Sequence, residues 1–294
     1  MCYWDTDGPI EVSENGSTIG EFLAKRKERT QAEQWRYLAY HGGEVGNNLV
    51  QLMQEMEAIP PGKSEQKTIA RLLRNEVEIV FCSVICPDYS TERQGDEIRY
   101  TFNSLGDGIG IVTSRALEVH VSLAQFFANQ GTNNQPRFTL AMADQEANDS
   151  NCLRVGLGRE EFLKRLRESQ KALADQAQHR GVTIETPFLT ELDRDRWETS
   201  KLEAKHLVDK VPRGLLSFAL RVRRKLYERW AGRILNEDAA MTMLLVQVEE
   251  YIAVGRYLSS ANRIIVGLDP PIMANFVRHG AGQTPVIYFK RPDY

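Results

Sequence analysis

The stretch of sequence that decides the fold is Val77-Glu78-Ile79-Val80-Phe81-Cys82-Ser83-Val84-Ile85-Cys86. It is a nearly unbroken run of apolar and β-branched residues, which is typical of a parallel strand covered on both faces. Pro87 ends the predicted strand, because proline has no backbone N–H to donate. The residues Tyr89 to Asp96 that follow are polar and predict a loop.

Helical and strand patterns alternate beyond this segment. The sequence predicts a helix over 112–128, a second buried strand over 137–143, a charged helix over 159–180 and a strand-like segment over 182–185. Strands that alternate with helices in this way favour right-handed crossovers and a parallel sheet. The predicted fold class is therefore α/β, with a Rossmann-like parallel sheet flanked by helices.

The C-terminal part of the chain is predicted to be mainly helical. A basic helix is expected over 213–233, an apolar helix over 239–258 and a last strand over 264–268. No change in composition divides the chain into two clean domains. We predict an N-terminal arm with helices over residues 1–60 and one Rossmann-like catalytic domain over 61–294.

Composition excludes several classes of protein. The chain has 294 residues, of which 42% are hydrophobic and 26% charged, and its net charge is −3. A nucleic-acid partner would therefore need a local basic patch. The four cysteines form no paired CxxC blocks, so no zinc or other metal site is predicted. There is no signal-peptide pattern and no run of about 18 apolar residues. We expect a cytoplasmic protein with no membrane segment.

The end of the first strand is the first candidate site. Ligands of open α/β sheets bind beyond the carboxyl ends of the strands, where a thiol or hydroxyl can act as a nucleophile. Side chains alternate along a strand, so Cys82, Val84 and Cys86 share one face and Ser83 lies on the other. Cys86 is the nearest to the mouth, followed by Asp88. The alternative is that both cysteines are ordinary buried residues.

A glycine-rich segment precedes the predicted helix at 112–128. Gly106 and Gly108 would allow a phosphate or carboxylate to approach the helix N-terminus. Together with Asp144 at the end of the second strand, they resemble the glycine turn and distal acid of cofactor-binding folds. Glu146 lies close to Asp144 in the sequence. The alternative interpretation is a plain turn that starts a helix.

Two acids interrupt the apolar helix near the C-terminus. Glu250 is in line with Val246 and Val254 on the more apolar face, and Glu249 lies beside it. A carboxylate inside an apolar helix costs several kcal/mol unless it is paired or protonated, and functional acids occur in such places. The alternative is that these carboxylates form an ion pair with Arg256 or with another helix.

The basic helix is the last candidate. It carries a stripe of positive side chains, opposed directly by Glu228 alone: Arg221, Arg224, Lys225 and Arg229. Such a stripe can contact a phosphate backbone, although solvated helix faces are often equally charged. Tyr227 is either core-facing or a stacking residue.

These parts together resemble cyclodipeptide synthases, the class I aminoacyl-tRNA synthetase-like family that joins two aminoacyl-tRNAs into a diketopiperazine. The resemblance rests on three segments and their order: the strand and turn from Phe81 to Ser90, the basic helix from Arg221 to Arg233, and the late helix from Val246 to Ala253. Cys86 stands where that family has a serine. Val246 stands four residues before Glu250, where the family has a tyrosine. These departures favour the divergent, arginine-using branch known in fungi.

The resemblance implies a covalent mechanism without a cofactor, because the tRNA ester arrives activated. Cys86, or alternatively Ser83, would hold the first aminoacyl group, and Glu250 would handle its amine with help from Tyr251 or Tyr257. It further implies that Asp88, Asp144 or Glu146 binds a guanidinium group, that Gly106 and Gly108 shape the pocket, and that Arg221, Arg224, Lys225 and Arg229 bind tRNA.

Two other functions fit the sequence. An S-adenosylmethionine-dependent methyltransferase would use the glycine segment and Asp144. A non-enzymatic nucleic-acid-binding module would need only the basic helix. The choice of nucleophile, the amino acids joined and the oligomeric state stay open.

Overall fold

The computed structural model of the chain describes residues 33–75, 77–85, 89–94, 97–102, 109–131, 135–144, 159–231, 233–268 and 271–289. For residues 89–94, 97–102, 159, 161, 229, 230 and 271 it describes the backbone. The described helices are α1 (33–41), α2 (Gly43–Glu55), α3 (Lys63–Arg74), α4 (Ile111–Asn129), α5 (Arg159–His179), α6 (Leu189–Leu192), α7 (Arg194–Val208), α8 (Arg213–Ala231), α9 (Glu237–Leu258) and α10 (Pro271–Ala281). The described strands are β1 (Ala58–Ile59), β2 (Val80–Ile85), β3 (Tyr89–Gln94), β4 (Glu97–Phe102), β5 (Arg137–Met142), β6 (Arg263–Gly267) and β7 (Val286–Phe289).

A central sheet runs in the order β1-β7-β6-β2-β5. The strands β7, β6, β2 and β5 are parallel, and the short β1 pairs with β7 in the antiparallel direction. Single parallel bridges at Thr139–Glu185 and Met142–Phe188 extend the sheet beyond β5. The predicted α/β, Rossmann-like fold with a helical C-terminal part is therefore confirmed.

The central sheet separates two hydrophobic cores, because successive side chains of each strand point to opposite faces. Phe81 and Ile85 of β2 belong to a core with side chains from α1 to α5. Cys82, together with the half-buried Val84, belongs to a second core with side chains from α6 to α10. The predicted alternation of β2 is correct, and the N-terminal and C-terminal helices cover opposite faces of the sheet.

The order of the strands creates a switch point beside β2. From β2 the chain passes through α4 to β5 on one side, and it later returns through α9 to β6 on the other side. The strand order therefore reverses between β6 and β2. In open α/β sheets, ligands bind at such a point, beyond the carboxyl ends of the strands.

The prediction of a polar loop from Tyr89 to Asp96 is wrong. The strands β3 and β4 form a separate antiparallel hairpin, in which Tyr89 pairs with Phe102 and Gln94 with Glu97. Polar residues are tolerated in such a hairpin because its stability comes from cross-strand pairing rather than from a continuous apolar run. A two-residue Gly-Asp link between two strand-like segments is a hairpin signal that the sequence already contains.

Part of the predicted N-terminal region packs against the sheet. Trp35 and Leu38 of α1 are buried in the same core as Phe81, and β1 adds a strand at the β7 edge. The boundary at residue 60 stays a prediction. The helix α10 and the strand β7 were not expected from the sequence.

Candidate functional site

The sheet opens beside β2 at its switch point. The pairing of β2 with β6 ends at Cys82–Ile265, whereas its pairing with β5 continues to Ile85–Met142. Beyond Cys82 the strand therefore stays with β5 and separates from β6. A crevice at this position is where an open α/β sheet accepts a ligand.

The first residue after β2 is the predicted nucleophile Cys86. Cys86 and the predicted substrate-binding Asp88 lie outside the described residues. The structure describes the strand that leads to them, which ends three residues after its pairing with β6 does. The catalytic role of Cys86 stays a prediction.

The other predicted nucleophile, Ser83, is engaged in the protein interior. Its side chain is 1% exposed, and its Oγ donates a hydrogen bond of 2.7 Å to the carbonyl oxygen of Val266. It lies on the α4 side of the sheet, whereas the acidic helix α9 packs on the opposite face. The structure therefore does not bring Ser83 and Glu250 together, which favours Cys86 over Ser83 as the nucleophile.

A buried histidine contacts Ser83. His120 on α4 is fully buried, and its Nε2 lies 3.4 Å from the Ser83 Oγ. Its Nδ1 lies 3.0 Å from the carbonyl oxygen of Ala116 and must carry the proton, because a carbonyl only accepts. Burial lowers the pKa of His120 to about 4, so the ring is neutral at pH 7.

Cys82 is an ordinary buried cysteine. Its Sγ lies 3.7 Å from the carbonyl oxygen of Ile264. Burial raises the pKa of the Cys82 thiol to about 12, and the nearby Arg263 lowers it only in part. The reactive form of a thiol is the thiolate, so Cys82 is inert at neutral pH.

The predicted acids lie at the edge of the second core. On α9 the residues Leu244, Val248 and Ile252 are fully buried, whereas Glu249, Glu250 and Tyr251 are half-buried. The face of α9 that carries Glu250 is thus apolar but partly open to solvent, since Val246 is 43% exposed. Arg256, an expected partner of this acid region, pairs instead with Glu203 on α7.

Asp144 follows β5 at the carboxyl edge of the sheet. It is 7% exposed, and its Oδ2 accepts a hydrogen bond from the hydroxyl of Thr190 on α6. The neighbouring Leu189 carbonyl accepts a hydrogen bond of 2.9 Å from the hydroxyl of Tyr257. Tyr257 is therefore tied to α6, although the resemblance expected it to assist Glu250. Glu146 lies outside the described residues.

Of the described side chains in the basic stripe on α8, two are open to solvent and one is engaged within the protein. Arg221 and Lys225 are open to solvent, whereas Arg224 pairs with Glu228 at 3.2 Å and donates to the carbonyl of Leu235. The side chain of Arg229 lies outside the described part of the chain. The exposed basic surface of α8 is therefore centred on Arg221 and Lys225.

The aromatic residues of α8 differ in exposure. Tyr227 is fully buried, and its hydroxyl donates a 2.8 Å hydrogen bond to the side chain of Gln247 on α9. Tyr227 is thus core-facing, and stacking on a ligand is excluded. Phe218 is 46% exposed, with the Arg221 guanidinium 5.2 Å from its ring centre, a pair that the sequence pattern did not indicate.

The glycine segment does not follow a strand of the central sheet. Gly106 and Gly108 lie outside the described residues, and α4 begins after Gly110, whose backbone is extended. Between β2 and this segment the chain forms the hairpin of β3 and β4. A dinucleotide-type fingerprint needs a core strand directly before its glycines. This arrangement disfavours the methyltransferase interpretation.

The part of the chain that the structure describes contains no group of three or more His, Cys, Asp or Glu side chains that could hold a metal ion. Within the same part, none of the helices is both long enough and apolar enough to cross a membrane.

The structural partners that the sequence did not reveal are His120, Gln247 and Thr190. Each contacts a predicted residue or helix from a distant part of the chain, as His120 does with Ser83. In the sequence, His120 stands in the middle of a predicted helix and gives no sign of this contact. The amide of Gln247 in an apolar helix was the only signal that could have indicated a buried polar contact.

No family model matches the chain, and neither does any curated protein. Among solved structures, a cyclodipeptide synthase from Bacillus thermoamylovorans is 12% identical, with a TM-score of 0.49, over 83% of this chain and 100% of that one. CDPS from Staphylococcus haemolyticus is 9% identical, with a TM-score of 0.43, over 79% of this chain and 96% of that one. Similarity of this degree assigns neither an activity nor a site residue to this chain.

Proposed function

We propose that the chain is an aminoacyltransferase of the cyclodipeptide synthase type, which joins two aminoacyl groups delivered by aminoacyl-tRNAs. The observation that carries the proposal is the separation of β2 from β6 at the switch point, after Cys82 and four residues before Cys86 in the sequence. A nucleophile at the carboxyl end of a central strand can meet a ligand there.

The proposed first step forms a thioester. The Cys86 thiolate attacks the ester carbonyl of the first aminoacyl-tRNA, the bond from that carbonyl carbon to the ribose oxygen breaks, and the ribose oxygen takes a proton. The α-amine of the bound aminoacyl group then attacks the ester carbonyl of the second aminoacyl-tRNA, the bond from that carbonyl carbon to the ribose oxygen breaks, and the ribose oxygen leaves with the proton that the amine gives up. Finally the new terminal amine attacks the thioester, which closes the ring and frees Cys86.

Glu250 is the proposed group that receives or positions the amine proton. Three observations support it. Glu250 is half-buried on an apolar helix face, and α9 packs on the same side of the sheet as Cys82 and Val84. From Glu250 to Leu258 the helix rises about 12 Å, and β6 rises about 13 Å over its length. For a helix that runs antiparallel to β6, to which residues 259–262 join it, these rises put Glu250 at about the height of the carboxyl end of β6.

Arginine is the proposed amino acid for at least one of the two positions. Asp144 is a nearly buried carboxylate at the carboxyl edge, fixed by Thr190, and a planar guanidinium group pairs well with such a carboxylate. Asp88 and Glu146 are further candidates from the sequence. Offering arginyl-tRNA beside leucyl-tRNA tests this choice, since arginine selectivity predicts an adduct with the first and little with the second.

Intact-protein mass spectrometry tests the covalent step. After incubation with aminoacyl-tRNA, the wild-type chain should gain the mass of one aminoacyl group. Cys86→Ala should gain none, whereas the matched control Cys82→Ala should still be acylated, because Cys82 is buried and its pKa is raised to about 12. An adduct that persists in Cys86→Ala would assign the nucleophile elsewhere.

Product analysis separates the proposal from its rivals. Expression of the chain in a bacterium should release a new cyclic dipeptide into the medium. Glu250→Gln should reduce the amount of this product. The control is Glu237→Gln in the exposed first turn of α9, which should leave the amount unchanged. A rise in melting temperature with S-adenosylmethionine, and none with aminoacyl-tRNA, would indicate a methyltransferase. Binding of tRNA without any adduct or product would indicate a binding module.

A further inference from the structure

The hydroxyl of Ser83 replaces a bond of the β-ladder. In a parallel pair, each step of the ladder adds one N–H to carbonyl bond. After Cys82–Ile265, the next bond between β2 and β6 would run from the amide of Val84 to the carbonyl of Val266. That registered pairing is absent between the two described strands, and Ser83 Oγ donates to the same carbonyl at 2.7 Å.

The ring of His120 packs against Ser83 from the α4 side of the sheet. His120 places its Nε2 3.4 Å from Ser83 Oγ, and the ring itself is fixed by its contact with the Ala116 carbonyl. The single hydroxyl proton of Ser83 goes to the Val266 carbonyl at 2.7 Å, so the His120 ring acts here as a packing contact. Because the site is almost fully buried, no water competes for the hydroxyl proton.

We propose that Ser83 is a positioning residue that keeps β2 apart from β6 at the switch point. This rests on the proposed function, in which Cys86 reacts three residues further along the chain. By satisfying the Val266 carbonyl with a side chain, Ser83 stops the ladder one step early. The described end of β2, Val84 and Ile85, therefore stays paired with β5 instead of following β6, and Cys86 is the next residue in the sequence.

Removal of the hydroxyl leaves the Val266 carbonyl without its donor. In Ser83→Ala, either the amide of Val84 takes that carbonyl and extends the ladder, or the carbonyl stays buried and unsatisfied. The proposal requires the first outcome. Displacement of a reacting atom by about 1 Å can cost up to a hundredfold in rate, so the chemical step should slow by about tenfold to a hundredfold.

Single-turnover kinetics measure this effect on the full chain. In Ser83→Ala, the rate constant for acylation of Cys86 should fall while the affinity for aminoacyl-tRNA is unchanged. A purely structural role would lower the fraction of active molecules, and hence the amplitude, but not the rate constant. Ser83→Thr keeps the hydroxyl and should restore most of the rate constant. A wild-type rate constant in Ser83→Ala would overturn the proposal.

Amide hydrogen exchange tests the same point without chemistry. The amide of Val84 should exchange faster than that of Cys82 in the wild type and become protected in Ser83→Ala. Unchanged exchange of the Val84 amide in that variant contradicts the positioning role. If the wild type forms no acyl-enzyme with any aminoacyl-tRNA, the proposed function fails, and the exchange result alone decides the role of Ser83.

Discussion

The burial of His120 makes the stability of the fold depend on pH. The pKa of this ring is about 4 in the folded chain and about 6.5 when unfolded, because burial disfavours its charged form. Above pH 6.5 both states are neutral at this residue. As the pH falls from 6.5 to 4, the unfolded chain binds a proton that the folded chain does not, and stability is lost.

We expect this residue to remove on the order of 3 kcal/mol from the free energy of unfolding between pH 6.5 and 4. Urea unfolding at a series of pH values measures the slope. His120→Gln should flatten it, whereas His179→Gln, which changes an exposed histidine, should not. Equal slopes in all three proteins would contradict a buried neutral His120.

At the scale of elements, α9 and α10 cross with almost no space between their backbones. A Cβ added at Gly255 would lie well inside van der Waals contact with the carbonyl of Val277, and one added at Gly280 would do the same with the carbonyl of Ile252. The two glycines thus face each other's helix. Neither backbone can move without separating the helices that cover the second core.

Gly255→Ala and Gly280→Ala should therefore each lower the free energy of unfolding by about 1–3 kcal/mol, as overpacked cores do. The matched control is Gly214→Ala on α8, where an added Cβ meets nothing within 4 Å. That variant should be neutral or slightly stabilising, because alanine favours a helix more than glycine does. Urea unfolding of the three variants checks the difference, and equal stability of Gly255→Ala and Gly214→Ala would refute the close crossing.

At the scale of the whole molecule, the basic surface of α8 and the helix α5 lie on opposite faces of the sheet. Reversal of Arg221 and Lys225 to Glu should weaken tRNA binding and reduce the salt dependence of the dissociation constant, by about one unit of log–log slope for each phosphate that is no longer neutralised. Lys164 and Lys171 on α5 are also exposed. Their reversal changes the net charge equally and should leave the slope unaltered.

Binding isotherms at several salt concentrations compare the two double variants. If both lower the affinity equally, net charge rather than the α8 surface attracts the nucleic acid. If neither does, α8 has no part in tRNA binding, and the proposal loses its partner surface.

The amino-acid sequence by itself determined the elements that depend on local pattern. The apolar runs of β2 and β5 and the periodicity of α4 and α9 were sufficient to predict their positions and the α/β class, because strand and helix periods are properties of neighbouring residues. The hairpin of β3 and β4 was missed, since its strands are stabilised by each other rather than by an apolar run.

Only the tertiary structure decided the geometry of the site. The sequence favoured Cys86 and left Ser83 as the alternative nucleophile, and it contained no sign that Ser83 bonds to Val266, 183 residues away. It also could not predict that β2 leaves β6 after Cys82. Such contacts form between segments that are distant in the chain, and their energy depends on packing that no local pattern encodes.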